Sequence, residues 1–230
     1  TALLGGGITP RPGEISMAHK GVLFLDELAE FPRSVLEVLR QPLEERKVHI
    51  ARNHGSFVYP AEFMLVAAMN PCPCGNYPDM QKCSCTPRQI EQYLGKISQP
   101  FLDRMDLCIE TPRVQYQELE ATKKEETSEV IRKRVSIARD IQKERYKTGK
   151  ADTNAMLGPR EIATYVRLGK EEKELMEQAF EKLGLTARTY HKILRVARTI
   201  ADLEQSTEVK SIHLKEAIGY RSLDKKYWGR

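Results

Sequence analysis

The stretch GVLFLDELAEF, residues 21–31, decides how the fold is read. Val22 to Leu25 is an unbroken apolar run instead of an alternation, which is the pattern of a central parallel strand covered on both faces. The run passes directly into two carboxylates, Asp26 and Glu27. Ligands bind at the carboxyl edge of a parallel sheet, so paired acids there suit nucleotide chemistry: one in the shell of a magnesium ion, the other toward an attacking water. The plainer account of the bare pattern is a strand leaving the core through two solvated acids.

Working outward, the next elements favour an α/β sheet. A helix is expected from a Ser34 cap with Glu37 three residues on, its apolar stripe Val35, Leu36, Val38 and Leu39 ending near Pro42. Lys47 to Arg52 alternates, Asn53-His54-Gly55-Ser56 supplies turn chemistry, and Phe57 to Tyr59 returns, which predicts a β-hairpin. A second buried strand, Phe63 to Met69, ends at Asn70-Pro71, and a third is expected over Leu107 to Glu110. Asn70 would lie beside the tip of the first strand, within reach of a γ-phosphate or its water. Arg104, in PFLDRMDL, and Arg188, in the first turn of a helix opened by Thr186, supply positive charge suited to phosphate.

After Pro112 the chain turns charged and helical, which places a domain boundary at 112/113. A long helix is expected over about 126–147, with Val130, Ile131, Val135, Ala138 and Ile141 facing inward. Further helices start near Pro159, Glu171, Thr186 and Ser211, and Gly184 stops the third of these expected helices. The triple glycine and the Thr9-Pro10-Arg11-Pro12-Gly13 stretch near the start favour irregular backbone.

Composition bounds the function classes. With 40% hydrophobic and 30% charged residues and no apolar stretch long enough to cross a bilayer, a soluble chain with no membrane partner is expected. A net charge of +5 is too small to identify an anionic partner by itself. No signal peptide is evident, and four of the five cysteines crowd between residues 72 and 85, which points to a reducing, cytoplasmic setting. Cys72, Cys74, Cys83 and Cys85 could give zinc a tetrahedral set of four sulfurs, although the C-x-C spacing is tighter than the common C-x2-C, and free thiols or adventitious disulfides would also account for them. Cys108, inside the third strand, reads as a small core residue. His19, His49, His191 and His213 show no metal spacing and read as structural.

Taken together, LLGGG with PRPGEISMAHKGVLFLDELAEF, then LVAAMNPCPCG, ISQPFLDRMDL and LTARTYHKILRVARTIADLE, resemble the AAA+ ATPases of the magnesium chelatase clade, and most closely its magnesium chelatase-like ComM/YifB group. The resemblance spans nearly the whole chain. It implies part of an AAA+ P-loop core over residues 1–112, with a helix-2 insertion and a β-hairpin before sensor 1, followed by an all-α lid over 113–230. It further implies that Asp26 and Glu27 are Walker B, Asn70 is sensor 1, Arg104 is an arginine finger acting in trans, and Arg188 is sensor 2. The cofactors implied are ATP and Mg2+, the assembly a homo-oligomeric ring, and the work ATP-driven remodelling of DNA, as in natural transformation. A basic hairpin carrying Lys47, Arg52 and His54 near its tip would face DNA in the ring's pore, although a solvated hairpin explains the same charges.

One departure matters. No Gly-Lys-Ser or Gly-Lys-Thr occurs, Thr148-Gly149-Lys150-Ala151 being the nearest string, so the Walker A loop is absent from these residues. The expectation is therefore a fragment, its parent an ATP hydrolase and itself inactive. Two other readings stand beside this one: the ATPase motor subunit of magnesium chelatase, and a non-catalytic zinc-stabilised binding module. The basic face of the long helix, Arg145 included, is read as solvated, since no aromatic residue interleaves before Tyr146.

Overall fold

In a computed structural model the described residues are 3–7, 11–52, 55–112, 116, 126–149 and 151–228, side chains at 52, 222, 224 and 225 excepted. The chain divides into two compact units, residues 1–105 and 106–230. Asn53, His54 and Lys150, along with Thr9 and Pro10, lie outside the described residues.

The first unit is mixed α/β. Two-residue strands β1 (Gly5–Gly6) and β2 (Arg11–Pro12) pair antiparallel ahead of helix α1 (Glu14–Met17). Strand β3 (Val22–Leu25) leads through a 3-10 turn, Leu28–Glu30, to helices α2 (Arg33–Val38) and α3 (Arg40–Glu45). Pro32, not Ser34, stands at the start of α2, and Pro42 sits inside α3 instead of ending the helical segment. Proline is tolerated in a helix's first turn, where its missing N–H has no intrahelical partner to lose.

Strands β4 (Lys47–Arg52) and β5 (Gly55–Pro60) form the expected antiparallel hairpin, with Lys47 opposite Pro60 and Arg52 opposite Gly55. Val48 and Ile50 are buried, as their alternation requires. Lys47 is at the open base of the hairpin, not near its tip, because the turn lies at the other end of the ladder.

Strand β6 (Met64–Ala67) pairs parallel with β3, Val22 opposite Met64 and Leu25 opposite Ala67. The run 22–25 is not covered on both faces: Leu23 and Leu25 are buried, whereas Val22 and Phe24 are more than half exposed, as is Met64 across the ladder. Helix α4 (Pro87–Leu94) follows the cysteine loop and α5 (Gln99–Leu102) follows Ser98. Residues 107–110 form no strand: the Cys108 N–H donates to Tyr220 O instead of to a neighbouring β ladder, and Leu107 and Ile109 are exposed.

The second unit is helical: α6 (Ser128–Tyr146), α7 (Pro159–Tyr165), α8 (Lys170–Leu183), α9 (Ala187–Leu203) and α10 (Ser211–Trp228). Its core gathers Tyr146, Leu157, Ile162, Met176, Ile193, Leu194, Ala197 and Leu214. Gly184 takes the left-handed conformation, φ +57°, that closes α8. On α6 only the C-terminal half turns inward: Ala138, Gln142 and Tyr146 are buried, Ile141 partly so, while Val130, Ile131 and Val135 are exposed.

The polar centre of this unit was not visible in the sequence. Asp202 is fully buried and accepts hydrogen bonds from both terminal nitrogens of Arg145, from Arg198 Nε at 3.1 Å and from Asn154 Nδ2 at 2.8 Å. Arg145 is therefore no solvated surface charge, and its partner holds its proton more tightly than usual. Asn154 also accepts from the Tyr146 hydroxyl at 2.6 Å. His213 is buried, with Nε2 2.8 Å from Glu204 and Nδ1 accepting from the Lys210 N–H, and His19 Nδ1 accepts from the Glu62 N–H, so both histidines are structural. Among the described residues no helix is long and apolar enough to cross a membrane.

Candidate functional site

The candidate site is built on the parallel β3/β6 pair. Its ladder continues past the last paired residues, Ala68 N–H donating to Leu25 O at 2.9 Å and Leu28 N–H to Ala68 O at 2.9 Å. Asp26 and Glu27 are looped out between these bonds, at the carboxyl end of β3. Asn70 follows the carboxyl end of the adjacent strand β6 by three residues. Because the two strands are parallel and directly paired, both tips fall on the same edge of the sheet, and Asp26, Glu27 and Asn70 are all exposed there.

Glu27 has φ 50° and ψ 46°, in the left-handed region. A residue with a Cβ meets steric strain there of roughly 1–2 kcal/mol. The turn is held by Asp26 Oδ1, which accepts from the Glu27 N–H at 2.8 Å.

Helix α4 is opened by a capping box: Thr86 Oγ1 accepts from the Gln89 N–H at 3.3 Å and Gln89 Oε1 accepts from the Thr86 N–H at 2.8 Å. The T-P-R-Q sequence with proline at the first helical position was the readable signal for this helix, which the sequence analysis missed. On α4, Tyr93 is buried, and its hydroxyl is pushed up from its ordinary pKa by burial first and then by the charges of Glu30, Cys72 and Glu27. The Asp26-Glu27 turn, the cysteine loop and α4 are thus close neighbours electrostatically.

Arg104 lies just beyond α5. Its guanidinium is 2.8 Å from Glu44 on α3 and donates to Pro100 O, leaving the side chain only 10% exposed. Arg188 is the second residue of α9, whose cap Thr186 accepts from the Thr189 N–H at 3.2 Å.

The four cysteines of the loop 72–85 converge. Their sulfurs all lie within 4.8 Å of one another, with Cys72 to Cys74 at 3.4 Å, Cys74 to Cys83 at 3.6 Å and Cys72 to Cys83 at 3.8 Å. Cys72 is fully buried. Hydrogen bonding by the backbone of Asn76 lowers the Cys74 thiol to about 5, and desolvation raises Cys85 to about 12. Beside the Cys74 thiol, Cys83 and Cys85 are both pushed up, Cys85 by desolvation first, so their ionisation is resisted.

An α/β unit with paired acids at the carboxyl end of a parallel strand pair, followed in the chain by a helical unit, fits the α/β class of nucleotide-binding folds, whose ligands sit at that edge of the sheet. Comparison with known proteins agrees. The family described as "Magnesium chelatase, subunit ChlI" matches residues 1–119, and "Magnesium chelatase, subunit ChlI C-terminal" matches residues 125–221. The chain is 48% identical over 223 residues to Competence protein ComM of Haemophilus influenzae, covering 96% of this chain and 43% of that protein. It is 44% identical over 226 residues to YifB of Salmonella typhimurium (98% and 44%), and 39% identical over 221 residues to Mb2921c of Mycobacterium bovis (96% and 44%), both described as uncharacterized proteins. The chain belongs to the magnesium chelatase ChlI family, and ComM and YifB are its homologues. It spans under half the length of these relatives.

Proposed function

We propose that this chain supplies the Walker B, sensor 1, arginine-finger and sensor 2 residues of a ring-forming, cytoplasmic AAA+ ATPase whose hydrolysis of ATP drives remodelling of DNA. The supporting observation is the common edge: Asp26 and Glu27 follow one parallel strand, and Asn70 follows the strand hydrogen-bonded to it. Asp26 would hold Mg2+, which when bound neutralises phosphate charge. Glu27 would polarise the attacking water and accept its proton. Asn70 would hydrogen-bond the γ-phosphate or that water. Exposure of all three side chains fits groups that receive a ligand.

Arg104 is assigned to the nucleotide of a neighbouring subunit and Arg188 to the lid face of the nucleotide. The Glu44 contact would present the Arg104 guanidinium in a fixed pose. The DNA assignment draws on the likeness to Competence protein ComM. Because no Walker A sequence occurs in the 230 residues, the chain alone is expected to be inactive. For the four cysteines the reading is a structural Zn2+.

The test is Glu27→Gln in the full-length gene product. Nucleotide binding should persist, while ATP turnover falls at least 100-fold, the scale of a lost general base. Turnover within threefold of the parent would overturn the assignment. The family description supports a second reading, the motor subunit of a magnesium chelatase. Stimulation of ATPase activity by DNA, as against stimulation by a metal-inserting partner, separates the two.

A further inference from the structure

We propose that Cys72, Cys74, Cys83 and Cys85 bind one zinc ion, and that this ion is the brace fixing the end of β6, and with it Asn70, to the start of α4. Metal binding is independent of the ATPase reading. The purpose of holding Asn70 rests on it.

The geometry of the sulfurs is the first ground. Ligands about 2.3 Å from a central zinc ion stand about 3.8 Å apart along a tetrahedron's edges. The sulfur separations among Cys72, Cys74 and Cys83, 3.4, 3.6 and 3.8 Å, cluster at that edge length, and the fourth sulfur is within 4.8 Å of the rest. All four are free thiols in this structure. Four soft donors with no histidine or carboxylate among them select zinc over magnesium or calcium.

The surroundings of the sulfurs are the second ground. Tyr77 N–H donates to Cys72 Sγ at 3.4 Å and Asn76 Nδ2 to Cys74 Sγ at 3.7 Å, contacts of the kind that orient and stabilise metal-bound thiolates. The turn is shaped for this. Gly75, at φ +75°, lets its N–H reach Cys72 O at 3.0 Å and turns the following N–H groups toward sulfur.

Position in the chain gives the ion its task. Cys72 is two residues after Asn70, and Cys85 immediately precedes Thr86, the cap of α4. A side chain on Gly75 would meet Asn70 Oδ1 at 3.7 Å, so the Asn70 amide rests against the cysteine turn itself. Between the two ends, residues 73–84 form no helix or strand and none of them is buried, Cys72 just ahead of them being the nearest buried residue. Cross-linking by metal is how such a loop acquires a single shape.

The experiment uses the 230-residue chain, reduced and stripped with chelator, then titrated with Co2+ and afterwards with Zn2+. One Co2+ per chain should bind with the intense visible bands of tetrahedral thiolate coordination, and one Zn2+ should abolish them. Cys72→Ser/Cys83→Ser should lose stoichiometric binding, whereas Cys108→Ser should keep it. Circular dichroism checks that the variants retain their helices. Octahedral cobalt bands, binding unchanged in the double variant, or no binding at micromolar metal would overturn the site. Hydrogen exchange then tests the brace. Zn2+ should slow exchange of amides 68–77 and 86–94 at least tenfold and leave 187–203 unchanged. Stoichiometric zinc with unaltered exchange at 68–77 would refute the positioning role, while leaving the ATPase reading to Glu27→Gln.

Discussion

Replacing Asp202 with alanine is the sharpest probe of how the helical unit is built. Asp202 is fully buried and holds Arg145, Arg198 and Asn154 together, tying α6 and the 3-10 turn Asn154–Met156 to α9, the helix whose second residue is Arg188. Its removal leaves the Arg198 guanidinium, 2% exposed, with only the carbonyls of Ser206 and Thr207. Breaking a buried ion pair by deleting one partner costs about 3–5 kcal/mol. Against a domain stability of about 5–15 kcal/mol, that is about a fifth of the total or more. The melting temperature should fall by on the order of 10–20 °C. Thermal and urea unfolding followed by far-ultraviolet circular dichroism report it, since this unit holds most of the helix. Adding Arg198→Met should restore part of the loss, because the stranded charge leaves with its partner. A loss under about 1 kcal/mol for Asp202→Ala, or no recovery in the double variant, would refute the reasoning.

Three further outcomes follow from other contacts. The Glu37 carboxyl is held below its ordinary range of about 4.5 by the Ser98 hydroxyl and then by Arg40; a depressed folded pKa gives stability present above the unfolded value and lost as pH falls through the folded one, so Ser98→Ala should lower stability at pH 7, with the deficit shrinking as pH falls below about 4.5, which flattens the acid limb of a stability-versus-pH curve. Gly184→Ala should cost about 1 kcal/mol in urea unfolding, from backbone strain alone, since φ is +57° and nothing lies within 4 Å of the added methyl. In the full-length protein, Arg104→Ala should reduce ATP turnover by about 10³-fold or more with binding retained, the scale of a lost arginine finger, and a normal rate would remove Arg104 from the site.

Much of the site's scaffold was legible because it is local. The apolar run 22–25, the alternation at Val48 and Ile50, and Thr186 and Gly184 at helix ends each express their structure within a few residues. What escaped is what depends on distant partners. Residues 107–110 have strand composition, but a strand forms only where another backbone accepts it, and Cys108 bonds to Tyr220 instead. The exposed side of Val22 and Phe24 could not be told from a buried one, because a continuous apolar run is silent on how many faces are covered. Arg145 and Asp202 are 57 positions apart and both look like surface charges on amphipathic helices. Only the folded arrangement makes them a buried pair. The convergence of four sulfurs needed the turn at Gly75, whereas the C-x-C pairs themselves were plain.

The backbone posture of Glu27 carries a consequence of its own. Arg46 and Gln205 share its positive φ, but they sit just past the ends of α3 and α9, where that conformation is an ordinary way to stop a helix. Glu27 has no such excuse, being wedged between a strand and a 3-10 turn. Glycine there would relax the chain and leave the protein sturdier in denaturant, yet without the acid that the proposed chemistry requires. Folding and turnover would then pull this one position in opposite directions, and a screen for hardier variants should keep finding the idle ones.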